Sequence, residues 1–140
     1  PFCRRLKEIR EREGWTAEAV ALLRWGRHFR LPARPGSPFG AKAVSGRDEK
    51  ENEALSAAAR EGDLLFQAEE RPASLVLLRP PSGRAGPEDV ARAAAITARY
   101  SRAAAGESIA IACRGGVDGA EKERLRAAPP SPAELDGWRI

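Results

Sequence analysis

The chain carries one histidine (His28), two cysteines (Cys3 and Cys113) and 20 acidic residues, and these bound its chemistry. Two cysteines so far apart give neither a metal-binding spacing nor a disulfide framework. They read as small buried hydrophobes. With a single histidine, a zinc site would have to be built mostly from carboxylates. The acidic run Asp48-Glu49-Lys50-Glu51-Asn52-Glu53 sits where a helix begins, and carboxylates there favour the helix dipole rather than forming a catalytic pair. Gly115-Gly116 lies in a hairpin-like turn with no helix behind it, so it is not a phosphate-cradling loop. No nucleophile elbow or cysteine–histidine pair is present. The expectation is a non-catalytic chain with no metal and no cofactor. Carboxylates converging in a pocket at Asp48 or Asp63 would revive the enzyme reading.

Arginine is the other reactive type. Lys and Arg total 24 against 20 acidic residues, a formal charge of +4, and the only lysines are Lys7, Lys42, Lys50 and Lys122. Guanidinium groups grip phosphates and bases in planar, bidentate fashion. An Ala- and Arg-rich composition also follows from GC-rich codons, so composition leans only slightly toward nucleic acid. Position says more. Arg27 and Arg30 flank His28 on one candidate strand, and Lys42 and Arg47 lie on or just after its partner, so these side chains can share an edge of a hairpin. A lone histidine on an alternating strand is more often a half-buried filler. Arg47 also precedes a helix start, whose free N–H groups attract anions. Arg92, Arg99 and Arg102 form a second candidate patch on an outer helix, where the plain reading is a solvated face.

The elements that must position these residues follow from periodicity and punctuation. Phe2, Leu6 and Ile9 mark a helix stopped by Gly14, and Thr16 caps a second helix ending at Gly26. These two carry little apolar surface and read as a connector over residues 1–26. Strands are predicted at Arg27–Leu31 and Ala41–Ser45 around a wide Pro- and Gly-rich loop. Asp48 caps a helix with Glu51 three residues on, Leu55, Ala58 and Ala59 inward, and Gly62 at its end. Near-continuous apolar strands follow at Asp63–Gln67 and Ser74–Leu78, read as covered by helices on one face. Pro87 opens a helix to about Ala104, with Val90, Ala93, Ala94, Thr97, Tyr100 and Ser101 on one side. Ser108–Cys113 alternates as a strand, and Lys122–Ala127 reads as a strand pairing back on it. Ser131-Pro132-Ala133-Glu134 is a capping box for a short last helix, with Trp138 and Ile140 under the core. The sum is an α+β domain over residues 27–140. Its mainly antiparallel sheet has about six strands in the order ββαββαββ, with two main helices on one face.

Several segments are similar to a known family. Gly46-Arg47-Asp48-Glu49-Lys50-Glu51-Asn52-Glu53-Ala54-Leu55 resembles the GRN-x-x-EN-(E/D)-x-L segment of the NFACT-R domain. Ser74-Leu75-Val76-Leu77-Leu78-Arg79 resembles its SHVVLR strand, and Ala93-Ala94-Ala95 with Tyr100-Ser101 its AA…A-x-YS helix. Asp63-Leu64-Leu65-Phe66-Gln67 stands where the family tends to carry Asp-x-Trp-(Phe/Leu)-His, so Leu65 and Gln67 replace the aromatic residue and the histidine. The four segments run in the family's order across roughly Phe29 to Cys113. The resemblance implies RNA binding. With the charge pattern, it gives as candidate RNA contacts Arg27, His28, Arg30, Lys42, Arg47, Asn52, Arg79, Arg99, Tyr100 and Arg102. Gly26–Pro32, Ala41-Lys42 and Gly46-Arg47 look closer to a variant that follows a PP-loop ATPase domain in tRNA-thiolation-type proteins. That variant implies tRNA as partner and a PP-loop-type domain upstream in the same chain.

At 140 residues the chain has the length of one domain, and 42% apolar residues suffice for a core. It begins at Pro1 and contains no Met, which reads as a piece of a larger protein. No run has the length of a membrane span and nothing at the start reads as a signal peptide, so a cytoplasmic protein without membrane contact is expected. The competing reading is a protein-interaction or scaffolding module, of the parent protein or of a ribosome quality-control-type factor, using Phe2, Trp15 and Trp25.

Overall fold

Leu64-Leu65-Phe66 and Val76-Leu77-Leu78 are apolar at every position, so a strand made from either must be covered on both faces. That requirement organises the domain. The computed structural model describes residues 26–33, 40–71, 74–81 and 84–140. The expected connector helices, with Cys3, Trp15 and Trp25, lie outside the described residues, as does the tip of the wide loop after residue 33.

The strands are β1 (Arg27–Arg30), β2 (Lys42–Ser45), β3 (Leu64–Ala68), β4 (Val76–Arg79), β5 (Ile109–Gly115) and β6 (Glu121–Ala127). The helices are α1 (Glu49–Ala58), α2 (Pro87–Arg99) and α3 (Pro132–Trp138). The strands form one six-stranded sheet in the order β1-β2-β4-β3-β5-β6, every neighbour antiparallel. The α+β class, the element order and the strand at Lys122–Ala127 are those read from the sequence.

One part of that reading is corrected: the two main helices lie on opposite faces. Val44, Leu77 and Leu65 face each other across β2, β4 and β3, and with Leu75 they close over Leu55 of α1. The alternate residues Ala43, Leu78, Val76 and Phe66 point the other way. There they pack with Phe29, Ile109, Ile111 and Cys113 against Ala93, Ala94, Ile96 and Ala98 of α2. The alanines let α2 lie close to the sheet. Leu135 and Trp138 of α3 join that larger core. The apolar runs of β3 and β4 need both covers, and a one-sided layer would leave Leu65 and Leu77 in water.

Local signals hold at the ends of elements. Asp48 caps α1 by accepting the Glu51 N–H at 2.8 Å, and Ser131 caps α3 in a capping box with Glu134. α2 is shorter than expected. It ends at Arg99, and the Ala103 N–H bonds back to the Ala98 carbonyl around Arg102 at φ 63°. This is the Schellman arrangement, whose left-handed position is usually glycine. Trp138 is buried as expected, but Ile140 is 70% exposed. The last residues run beside β1 instead, with Phe29 bridged to Arg139 and the Ile140 N–H donating to the His28 carbonyl. Cys113 is sealed in the core, and burial pushes its thiol up to about 11, so it is inert.

Candidate nucleic-acid interface

The Schellman turn after α2 presents Tyr100, Ser101 and Arg102 in succession. Tyr100 is seated against Phe29 of β1, with ring centroids 6.1 Å apart. Strand alternation puts Arg27 on the same side of the sheet as Phe29, and its guanidinium carbon lies 4.1 Å from the Tyr100 ring centroid. Arg99 reaches the same ring at 5.4 Å, and Arg139 donates to the Tyr100 hydroxyl at 3.3 Å. Cation–π contacts hold guanidinium groups from separate segments around one partly exposed aromatic. Partial burial holds the Arg27 pKa below the usual guanidinium value, although an arginine keeps its proton.

Beside this ring opens a cleft of about 740 Å³ between the first turn of α1 and the turn after α2. Arg47, Asn52, Gln67, Arg71, Tyr100 and Arg102 line it, together with the carboxylates of Asp48 and Glu49. The volume is that of a small-ligand site. Two local costs sit on its wall. Arg102 holds a left-handed backbone that a side chain disfavours, and the Ser101 hydroxyl is buried with no hydrogen-bond partner among the described residues. Strain and unsatisfied polar groups concentrate where function has constrained a site.

Arg27, Arg99 and Arg102 make no ion pair among the described residues, and all three lie at this ring or cleft. Other arginines are paired: Arg71 with Glu107 at 3.1 Å, Arg92 with Glu88 at 3.7 Å and Arg139 with Asp136 at 3.2 Å. The outer patch expected on α2 therefore divides, Arg92 to an ion pair, Arg99 to the Tyr100 ring and Arg102 to the cleft.

The hairpin group divides as well. Arg27 and Arg47 belong with Tyr100, but Arg30 lies opposite Lys42, and Lys42 opposite Arg79, in a row on the α1 face. His28, opposite Val44, is on that face too, and it is partly buried. Arg79 is excluded as an RNA contact. It is 5% exposed, and its guanidinium donates to Asp63 at 2.6 and 3.1 Å and to the Ala58 carbonyl at 3.3 Å. Lys42, 8% exposed, is also withdrawn from the surface.

The α1 N-terminus is not open to an outside anion. Asp48 occupies it, Glu49 and Glu51 fill the first turn, and the Glu51 carboxylate binds the Arg47 guanidinium at 2.8 and 3.0 Å. These hydrogen bonds hold the Glu51 pKa down to about 2. Arg47 still keeps about half its side chain exposed, facing the cleft. Asn52 ties the cleft wall to the sheet, its Oδ1 accepting the Leu75 N–H at 3.1 Å. A Cβ on Gly46 would sit 2.1 Å from that same oxygen, so any side chain there would displace the Asn52 amide from its bond to Leu75. The matched Gly46…Glu51-Asn52 segment thus builds the wall itself. Asp63 is bound to Arg79 and to the Arg60 N–H, and Asp48 to the N-terminus of α1.

Sequence reasoning missed Arg71, Ser74, Ser101 and Arg139. Arg71 and Ser74 belong to the β3–β4 connection, where no periodicity marks a side chain's direction. Arg139 gains its place only because the chain end returns to β1.

Residues 26–139 match the family model described as the NFACT protein RNA binding domain. Among solved structures, the chain is similar to the C-terminal part of the fibronectin/fibrinogen-binding protein from Streptococcus suis. The two are 17% identical with a TM-score of 0.65 over 82% of this chain, which spans 50% of that one. At this identity the likeness carries the fold alone. No curated protein matches the chain in sequence.

Proposed function

Because the chain belongs to the NFACT RNA-binding domain family, we propose that it is a non-catalytic module that holds RNA in the Tyr100 cleft, tRNA being the class it serves. The observation that carries the site is that Arg27 and Arg99 pack on one partly exposed tyrosine, with Arg102 beside it on the cleft wall, and that none of the three makes an ion pair among the described residues. RNA recognition needs cations for phosphates and planar groups for unstacked bases, and both stand here within one cleft. A nucleotide entering it stacks on Tyr100 or on a guanidinium plane, with its phosphate toward Arg102. Gln67 offers amide groups to a base edge where the family tends to carry histidine. The finer reading is a cytoplasmic tRNA-thiolation-type parent with a PP-loop domain upstream, to which this module delivers substrate. It is supported by the resemblance of Gly26–Pro32, Ala41-Lys42 and Gly46-Arg47 to that variant.

The test uses Arg102→Gly. Glycine suits the left-handed position, so stability is expected to hold or to rise by up to about 1 kcal/mol. RNA affinity is expected to fall, and the slope of log K against log salt to flatten by about 1. Titrations of unmodified tRNA at several salt concentrations measure both. An Arg102→Gly protein that binds with unchanged affinity and slope would count against the cleft.

A further inference from the structure

The sheet is covered unequally. On the α1 face, α1 shelters Val44, Leu65, Leu75 and Leu77, the β2–β4–β3 part alone. Beyond it, no helix of the described residues covers the same face of β5 and β6. Gln67 of β3, Ala112 of β5 and Arg124 of β6 stand in one row of paired residues. Ala110 with Arg126 lies on one side of that row and Arg114 on the other. Gln67, Arg124 and Arg126 are exposed, and Ala110, Ala112 and Arg114 partly so. The result is a flat alanine floor rimmed by three arginines, two of them about 7 Å apart along β6, with Glu69 and Glu121 at its border. Arg124 is shared between Glu121 at 2.6 Å and Glu69 at 3.1 Å. Arg126 donates to the Ser108 carbonyl at 2.7 Å, and Arg114 has no polar partner among the described residues. Among the described residues no aromatic ring stands on this face, and its cations suit the phosphates and riboses of a backbone more than unstacked bases.

Gln67 joins this floor to the cleft, because it also lines the cleft. A single RNA can therefore occupy both, with chemistry that differs at the two ends. The cleft admits one unstacked nucleotide, whereas the open face fits the broad, shallow side of an A-form stem, which is read through backbone and shape.

We propose that this domain recognises a junction, an unpaired RNA segment whose nucleotide enters the Tyr100 cleft while the adjoining double-helical stem lies on the β5–β6 face between Arg114 and Arg126. The inference rests on the cleft reading and adds the class of RNA.

The experiment compares three RNAs on the full 140-residue chain: an unpaired oligonucleotide, a hairpin carrying that oligonucleotide as an unpaired tail, and the blunt hairpin. The tailed hairpin is expected to bind about tenfold tighter than either part, as two further phosphate contacts allow. Arg114→Gln with Arg126→Gln should bring the tailed hairpin down to the level of the tail and leave binding of the tail itself unchanged. Equal affinity for tail and tailed hairpin, or a double variant with undiminished preference for the tailed form, would overturn the junction and leave the cleft standing. A blunt hairpin binding as tightly as the tailed one would also overturn it. Failure of all three RNAs to bind would remove the cleft reading as well. Thermal melts of the double variant establish that it is folded, both arginines being on the sheet surface.

Discussion

Glu51 is almost sealed from solvent yet remains ionised, because the Arg47 side chain and backbone both donate to it. Its pKa lies near 2 in the folded chain against an ordinary 4.5. A carboxylate lowered in this way contributes stability that is fully present above about pH 4.5 and lost as pH falls toward 2. Melting temperature followed from about pH 7 down to about pH 2 should therefore drop on the acid side, and Glu51→Gln should lower the neutral plateau and flatten that drop. The Asp63–Arg79 pair makes a different test. Removing one partner strands a buried charge, at a cost of about 3–5 kcal/mol, and the paired variant Asp63→Asn with Arg79→Met should recover much of it. Denaturant titrations of the two single variants and the double give the coupling. Arg79 shows where residue-level reading stops. A cation ending an apolar strand has the same sequence signature whether it faces RNA or a carboxylate 16 residues away.

At the scale of elements, what is local was legible: the Asp48 and Ser131 caps, Pro87 and Pro132 in the first helical turns, and each strand of the sheet to within two residues. The layer of each helix was not. A continuous apolar run such as Leu64-Leu65-Phe66 has no period to say whether one or two covers are needed. The end of α2 was hidden for another reason, since an arginine stands where the left-handed turn would ordinarily announce itself with glycine. The join between α1 and β4 depends on Asn52, whose oxygen takes the Leu75 N–H while the Gly46 N–H bonds the Leu75 carbonyl. Asn52→Ala leaves a backbone donor unpaired and should cost about 1–3 kcal/mol. Because this join is also one wall of the cleft, amide exchange at Gly46, Arg47 and Leu75 should quicken in that variant before the rest of the domain opens.

At the scale of the whole molecule, a formal charge of +4 marks no particular place on the surface. Many of its arginines are matched to carboxylates across or along the surface, as Arg124 is to Glu69 and Glu121. Arg27 and Arg99 are not, and Arg27 reaches the Tyr100 ring, beside its sequence neighbour Arg99, only because the sheet order sets β1 against the end of α2. No spacing in the sequence brings residue 27 to residue 100, so a basic hairpin that reads as one group folds into two. Amide shift mapping with a short unpaired RNA tests the location most directly. The cleft account expects the perturbations to concentrate at Arg47, Asn52, Gln67, Arg71 and Tyr100–Arg102. Perturbations gathered instead around Gly62–Leu64 and Gly115–Asp118, at another cleft of the domain, would contradict it.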